Sequence, residues 1–154
     1  QPPAAREYFG VIGDSDPMYR GGSYQFVQKY IHDMTAWNAL PVSEQEKVIG
    51  RSKHDDIEMS EDEKPANSHS AIANIGDDFK VIRDNMPFGT VGNNELGTYF
   101  ICYASTFSTV RKMLMNMFTG VDGANYDRLL DFSTAVTGTL FFVPTVDMLG
   151  DFAG

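Results

Sequence analysis

The chain has 154 residues, of which 42% are hydrophobic and 21% charged, ordinary values that allow one globular domain with a real core and hardly two. Twelve basic against 21 acidic side chains leave a net charge of −9, a field that repels a phosphate backbone and argues against nucleic-acid binding. No run approaches the roughly 18–20 apolar residues of a membrane span. The single cysteine, Cys102, excludes an intramolecular disulfide and a four-thiolate metal site, and fits a reducing compartment.

The chain opens on Gln1 rather than methionine and shows no basic-then-apolar leader, which reads as a processed chain or a piece of a longer one. Residues 1–22, broken by Pro2, Pro3, Gly10, Gly13, Pro17, Gly21 and Gly22, read as irregular coil. From Ser23 to Tyr30, Tyr24, Phe26 and Gln28 alternate with Val27 on the other side, a strand expected to be covered on both faces. A short helix at Thr35–Leu40 carries Trp37, the sole tryptophan. Ser43 and Glu46 have capping-box spacing, so a second helix is expected to start there and to stop at Gly50. The acidic run Arg51–Lys64 reads as a solvated loop.

Phe79–Arg83 reads as a short strand and Leu96–Ala104 as a stronger one whose two faces can both be buried. Val110, Met113, Leu114, Met117 and Phe118 fall at helical spacing, giving an amphipathic helix over about Thr106–Phe118. A short helix at Asn125–Phe132, a strand at Gly138–Val143 and a helix at Val146–Phe152 complete the chain. Strands and helices interleaved at irregular spacing point to an α+β fold with a mostly antiparallel sheet.

Generic motifs are uninformative. His32, His54 and His69 include no pair at the four-residue spacing of a helical zinc site, and no Gly-x-Ser-x-Gly elbow occurs. Gly10-Val11-Ile12-Gly13 lacks the lysine of a phosphate loop. The Arg83-Asp84-Asn85 triplet, set between apolar residues, needs partners if it is buried. On chemistry alone it reads first as a strand ending in a turn, with Arg83 paired to an acidic neighbour.

Gly21-Gly22-Ser23-Tyr24, Val48-Ile49-Gly50-Arg51, Asn67-Ser68-His69, Arg83-Asp84-Asn85-Met86-Pro87-Phe88-Gly89 and Tyr126–Pro144 occur in the order seen in the dye-decolourising (DyP-type) haem peroxidases. Through nearly its whole length the chain resembles the C-terminal half of a bacterial member. The resemblance implies a ferredoxin-like half with an antiparallel sheet flanked by helices, of the dimeric α+β barrel type. Residues 23–154 would form the C-terminal peroxidase domain behind the irregular residues 1–22. It implies haem b as cofactor and hydrogen peroxide with a bulky dye or phenolic electron donor as substrates.

By position, His69 matches the proximal ligand of the haem iron and Asp127 the carboxylate that accepts its hydrogen bond. Such a carboxylate gives the imidazole anionic character and favours oxidised iron. Arg83 and Asn85 match the catalytic distal pair: a guanidinium stabilises the charge of the departing peroxide oxygen and an amide orients the peroxide. Phe100 resembles an apolar wall of the distal side, and Asp78 lies where a relative could hold an acid near the haem edge. The family's distal motif, Gly-x-x-Asp-Gly, does not occur in this chain. It is expected upstream of Gln1, with an N-terminal half of the subunit. That absence keeps open a haem-binding protein without peroxidase turnover, or a truncated subunit. The resemblance further implies a homo-oligomer in the cytoplasm. Encapsulin shells take up some relatives through a C-terminal tail, but nothing follows Gly154 to support that partnership.

Overall fold

A computed structural model describes residues 9–76, 80–89, 92 and 95–152. Its centre is an antiparallel sheet of five strands: β1 (Ser23–His32), β2 (Ile82–Gly89), β3 (Leu96–Ala104), β4 (Ser133–Ala135) and β5 (Thr139–Val143). The order runs β2-β3-β1, and β1 pairs on its far edge with both β5 and β4. β5 takes Ser23–Val27 and β4 takes Tyr30–His32. Between them Val136 N donates to Lys29 O and Lys29 N donates to Thr137 Oγ1, both at 2.9 Å, so the two short strands act as one interrupted strand. The helices are α1 (Met34–Ala39), α2 (Val42–Ile49), α3 (His69–Ile72), α4 (Phe107–Thr119) and α5 (Val146–Phe152), with 3₁₀ turns at Pro17–Tyr19 and Arg128–Asp131.

Register fixes which side chains share a face. Phe26 pairs with Cys102 and Cys102 with Arg83; Gln28 pairs with Phe100 and Phe100 with Asn85. Because side chains alternate along a strand, Arg83, Asn85, Phe100, Cys102, Phe26, Gln28, Tyr30 and His32 all stand on one inner face. α4 covers part of it, burying Val110 against Phe26, Cys102 and Ala104, and its next turns bury Met113 and Met117 against Ile72 and Ile75. Burial pushes the Cys102 thiol up to about 11, so it is a packed protonated side chain and not a nucleophile.

The other face is open: Tyr99, Met86 and Phe141 are exposed there. β1 has no exposed residue, in keeping with a strand covered on both faces, whereas the two-faced burial expected of β3 is corrected at Leu96 and Tyr99. Alternation along a strand cannot tell a covered face from an apolar uncovered one.

Helix starts differ from the sequence reading in one place. Ser43 is not the cap of α2; the helix begins one residue earlier, after Pro41, without a side-chain cap. The proline's fixed φ leads into the first turn, and the capping-box spacing of Ser43 and Glu46 is coincidental. Gly50 ends α2 in the left-handed conformation at φ 82°, as expected. α4 starts on Thr106, whose hydroxyl accepts from Ser108 N. The acidic segment is the expected solvated loop, exposed over residues 53–58 and 60–63; Lys64 at its end has only 6% of its side chain exposed and reaches Glu58 and Glu61 at 2.8 and 2.7 Å. Ile12, in the coil, is buried and bonded through its backbone to Gly21 and Gly22.

β2 spans Ile82–Gly89, not Phe79–Arg83, and Phe79 falls outside the described residues. Pro87 and Gly89 read as a turn, yet an edge strand tolerates proline because one row of N–H groups has no partner. The Asn125–Phe132 segment forms a 3₁₀ turn capped by Asp127 rather than an α-helix.

Candidate functional site

His69 opens α3 and Asp127 caps the 3₁₀ turn fifty-eight residues later. His69 Nδ1 donates to Asp127 Oδ2 at 2.6 Å, and Asp127 has no solvent exposure. The carboxylate is held on every side. Its Oδ1 accepts from Leu129 N at 2.9 Å, its backbone N donates to Met117 O at 2.8 Å, and the following Arg128 N donates to Asn67 O at 2.9 Å. The guanidinium of Arg128 reaches Glu44 Oε2 with both terminal nitrogens at 3.2 Å, tying the turn to α2. On the other side of His69, Gly50 lies so close to Ser68 and Ser70 that a Cβ there would collide with both hydroxyls. With Nδ1 committed to a buried carboxylate, Nε2 is the nitrogen left for a ligand.

His69 faces an open-sided cavity of about 360 Å³ between the helices and the inner sheet face. The helical wall contributes Ala73, Met113, Met117, Leu129 and Leu130; the sheet wall contributes Arg83, Asn85 and Phe100. Five of the expected residues therefore line or brace one space: His69, Asp127, Arg83, Asn85 and Phe100. Asp78 lies outside the described residues. The expectation of a strand ending in a turn at the Arg-Asp-Asn triplet is corrected: the three residues lie within β2 and are exposed, Asp84 on the opposite face from the other two. As a sheet edge, β2 has no outer neighbour among the described residues to bury it.

Five polar residues of the same cavity escape motif reasoning: Gln28, Tyr30, His32, Thr98 and Ser133. Tyr30 donates to Gln28 Oε1 at 2.9 Å, and burial, helped by the Asp127 charge, pushes its phenol up to about 12. His32 Nδ1 lies 2.7 Å from Ser133 Oγ and its Nε2 2.7 Å from Thr98 Oγ1, with burial pushing its pKa down. The signal was the alternation of Tyr24, Phe26 and Gln28, which continues two steps to Tyr30 and His32 once the strand is taken to its observed end.

An antiparallel sheet that faces a carboxylate-braced imidazole across a largely apolar cavity defines a candidate ligand-binding site in an α+β fold. Its site combines a potential axial ligand with a cationic opposite wall. The chain belongs to the Dyp-type peroxidase family: the model of that family's C-terminal part matches residues 2–148. It is 58% identical over 145 residues to a dye-decolorizing peroxidase of Rhodococcus erythropolis, covering 92% of this chain and 42% of that one. A dye-decolorizing peroxidase of Bacteroides thetaiotaomicron superposes with TM-score 0.94 at 63% identity, covering 97% of this chain and 48% of the other. A Rhodococcus jostii DypB variant in complex with haem superposes with TM-score 0.89 at 52% identity, covering 94% and 48%. An encapsulated DyP-type peroxidase of Mycobacterium smegmatis gives 0.88 at 57%, covering 93% and 48%. The chain spans less than half the length of the curated relatives it matches.

Proposed function

We propose that this chain is the haem-bearing half of a peroxidase that uses hydrogen peroxide to oxidise dyes or phenolic donors. The observation that carries the reading is the 2.6 Å bond from His69 Nδ1 to a fully buried Asp127, facing Arg83 and Asn85 across one cavity. The donor set fits haem b. An imidazole whose Nδ1 is held by Asp127 and whose Nε2 is left for a ligand suits an axial iron ligand, and Phe100, Met113, Met117, Leu129 and Leu130 offer apolar walls to a flat ring. Haem, when bound, supplies the iron at which peroxide is reduced and the oxidising equivalents are held for the donor.

The protein's own residues do the rest. Asp127 fixes the tautomer and direction of His69 and makes it a stronger donor to iron. Arg83 stabilises the negative charge that grows on the departing oxygen as the peroxide bond breaks, and Asn85 holds the peroxide by its amide. Tyr30, bonded to Gln28 and far from ionising, keeps its proton and adds no competing anion beside Asp127. In the test, hemin added to the protein gives a Soret band that His69→Ala alters, and peroxide then bleaches a dye. A Soret band unchanged in His69→Ala would sink the proposal.

One observation favours a second reading, haem binding without turnover: Arg83 and Asn85 stand exposed on an edge strand. Peroxide bleaching no faster than free hemin, with a normal Soret band, would select it. The encapsulated Mycobacterium smegmatis relative supports a protein shell as the proposed setting, with the cytoplasm as the proposed compartment. No helix among the described residues is long and apolar enough to cross a membrane.

A further inference from the structure

A second, smaller cavity of about 140 Å³ lies behind the first. It is lined by His32, Met34, Trp37, Leu129, Phe132 and Ser133. His32, Leu129 and Ser133 belong to both cavities, so one layer of side chains separates the two spaces. We propose that this cavity binds a single-ring phenolic donor, and that His32 and Ser133 form the wall through which the donor is coupled to the main site.

Size, shape and chemistry point the same way. An apolar cavity of about 150 Å³ is enough to hold a benzene ring. Trp37 and Phe132 meet edge-to-face at 5.3 Å and 75°, offering the rim and face that a third aromatic ring packs against. The frame is built before any ligand arrives. Asp33 caps α1 through Ala36 N, Asp33 N donates to Phe132 O at 2.9 Å, and Gln45 Nε2 donates to Trp37 O at 2.9 Å. Ser133 is 5% exposed, and its Oγ lies 2.7 Å from His32 Nδ1. A phenol hydroxyl against Ser133 would meet a hydroxyl already bonded to a neutral imidazole whose other nitrogen is held by Thr98.

The coupling balances on the proposed peroxidase reading, on which it rests. Two phenols each lose one O–H hydrogen as a proton and an electron and become phenoxyl radicals. Hydrogen peroxide takes two electrons and two protons and leaves as two waters. Ser133 passes each phenol proton to His32, and the electron crosses the same side-chain layer into the main cavity. The proton then leaves His32 for solvent or for the reduced oxygen.

The test labels the full-length protein with 5-fluorotryptophan and assigns the Trp37 ¹⁹F resonance by its loss in Trp37→Phe. Titration with guaiacol, a one-ring phenol, should move that resonance and saturate on the order of millimolar, as expected for a ligand of so few atoms. Met34→Phe narrows this cavity from a position that does not itself line the larger one, and should weaken binding by about tenfold or more. Intermolecular NOEs from guaiacol to Phe132 in the unsubstituted protein should appear whether or not that variant folds. A resonance that never saturates, a titration unchanged in Met34→Phe, or NOEs confined to other residues would overturn the proposal. The titration is run without hemin, so loss of the Soret band would refute the peroxidase reading while leaving this binding result standing on its own.

Discussion

The two walls of the main cavity are built to different standards. On the helical side, Asp127 is fully buried, accepts two hydrogen bonds, and sits on a backbone tied to Met117 and Asn67. On the sheet side, Arg83 and Asn85 are exposed on an edge strand. The difference teaches that folding and function are coupled on one wall and separable on the other. A side chain that holds the imidazole also holds the fold together. A side chain proposed to meet peroxide from an edge strand does not.

The sharpest test is therefore a substitution that removes function without touching stability. Arg83→Leu should lower peroxide-dependent dye oxidation by about 10²–10³-fold, the scale of one lost charge-stabilising donor. The urea midpoint should move by no more than about 0.5 kcal/mol. A large stability loss would erase the contrast. Asp127→Ala should do both kinds of damage: about 2–4 kcal/mol of stability, from the stranded His69 N–H and the lost turn cap, read by urea unfolding. Its Soret band should also shift once hemin is added.

Gly50→Ala reaches the helical wall indirectly. The left-handed backbone costs a residue with a Cβ about 1–2 kcal/mol, and that Cβ would press on Ser68 and Ser70 beside His69. Thermal unfolding should register the loss, and Gly50→Ala should disturb hemin binding more than an alanine at Gly76, where a Cβ meets nothing.

The smallest effect concerns pH. Burial holds the His32 pKa below its unfolded value near 6.5. Below that value the unfolded chain binds the proton more readily than the folded one, so stability falls as pH drops from about 6.5 toward the folded pKa. Urea midpoints at pH 7.5 and 5.5 should show that fall, and His32→Gln should flatten part of it. An equal slope in the variant would mean that His32 is solvated in the folded protein.

Some of this was legible before any coordinates. The spacing of Val110, Met113 and Met117 defined the buried face of α4, because a 3.6-residue period leaves few alternatives. The family motifs named His69, Asp127, Arg83, Asn85 and Phe100, all of which line or brace one cavity. β2 was misread because Pro87 and Gly89 carry turn chemistry that an edge position overrides. His32 was missed because the strand was ended two residues early, and Tyr30, inside the expected strand, because no motif singled it out. The short β4, pairing only three residues of β1, has too little alternation to announce itself.

What the sequence determined by itself is the set of local choices: helix faces, the left-handed stop at Gly50, the acidic balance, and the motifs that carry the family. Those depend on neighbours along the chain, which a sequence displays directly. Tertiary structure decided the rest. The bond between His69 and Asp127 joins residues fifty-eight positions apart, and the sheet register decides that Arg83 and Asn85 share a face with Tyr30 and His32. Composition cannot express either fact, because both depend on which strands pair and on which face of the sheet the helices bury.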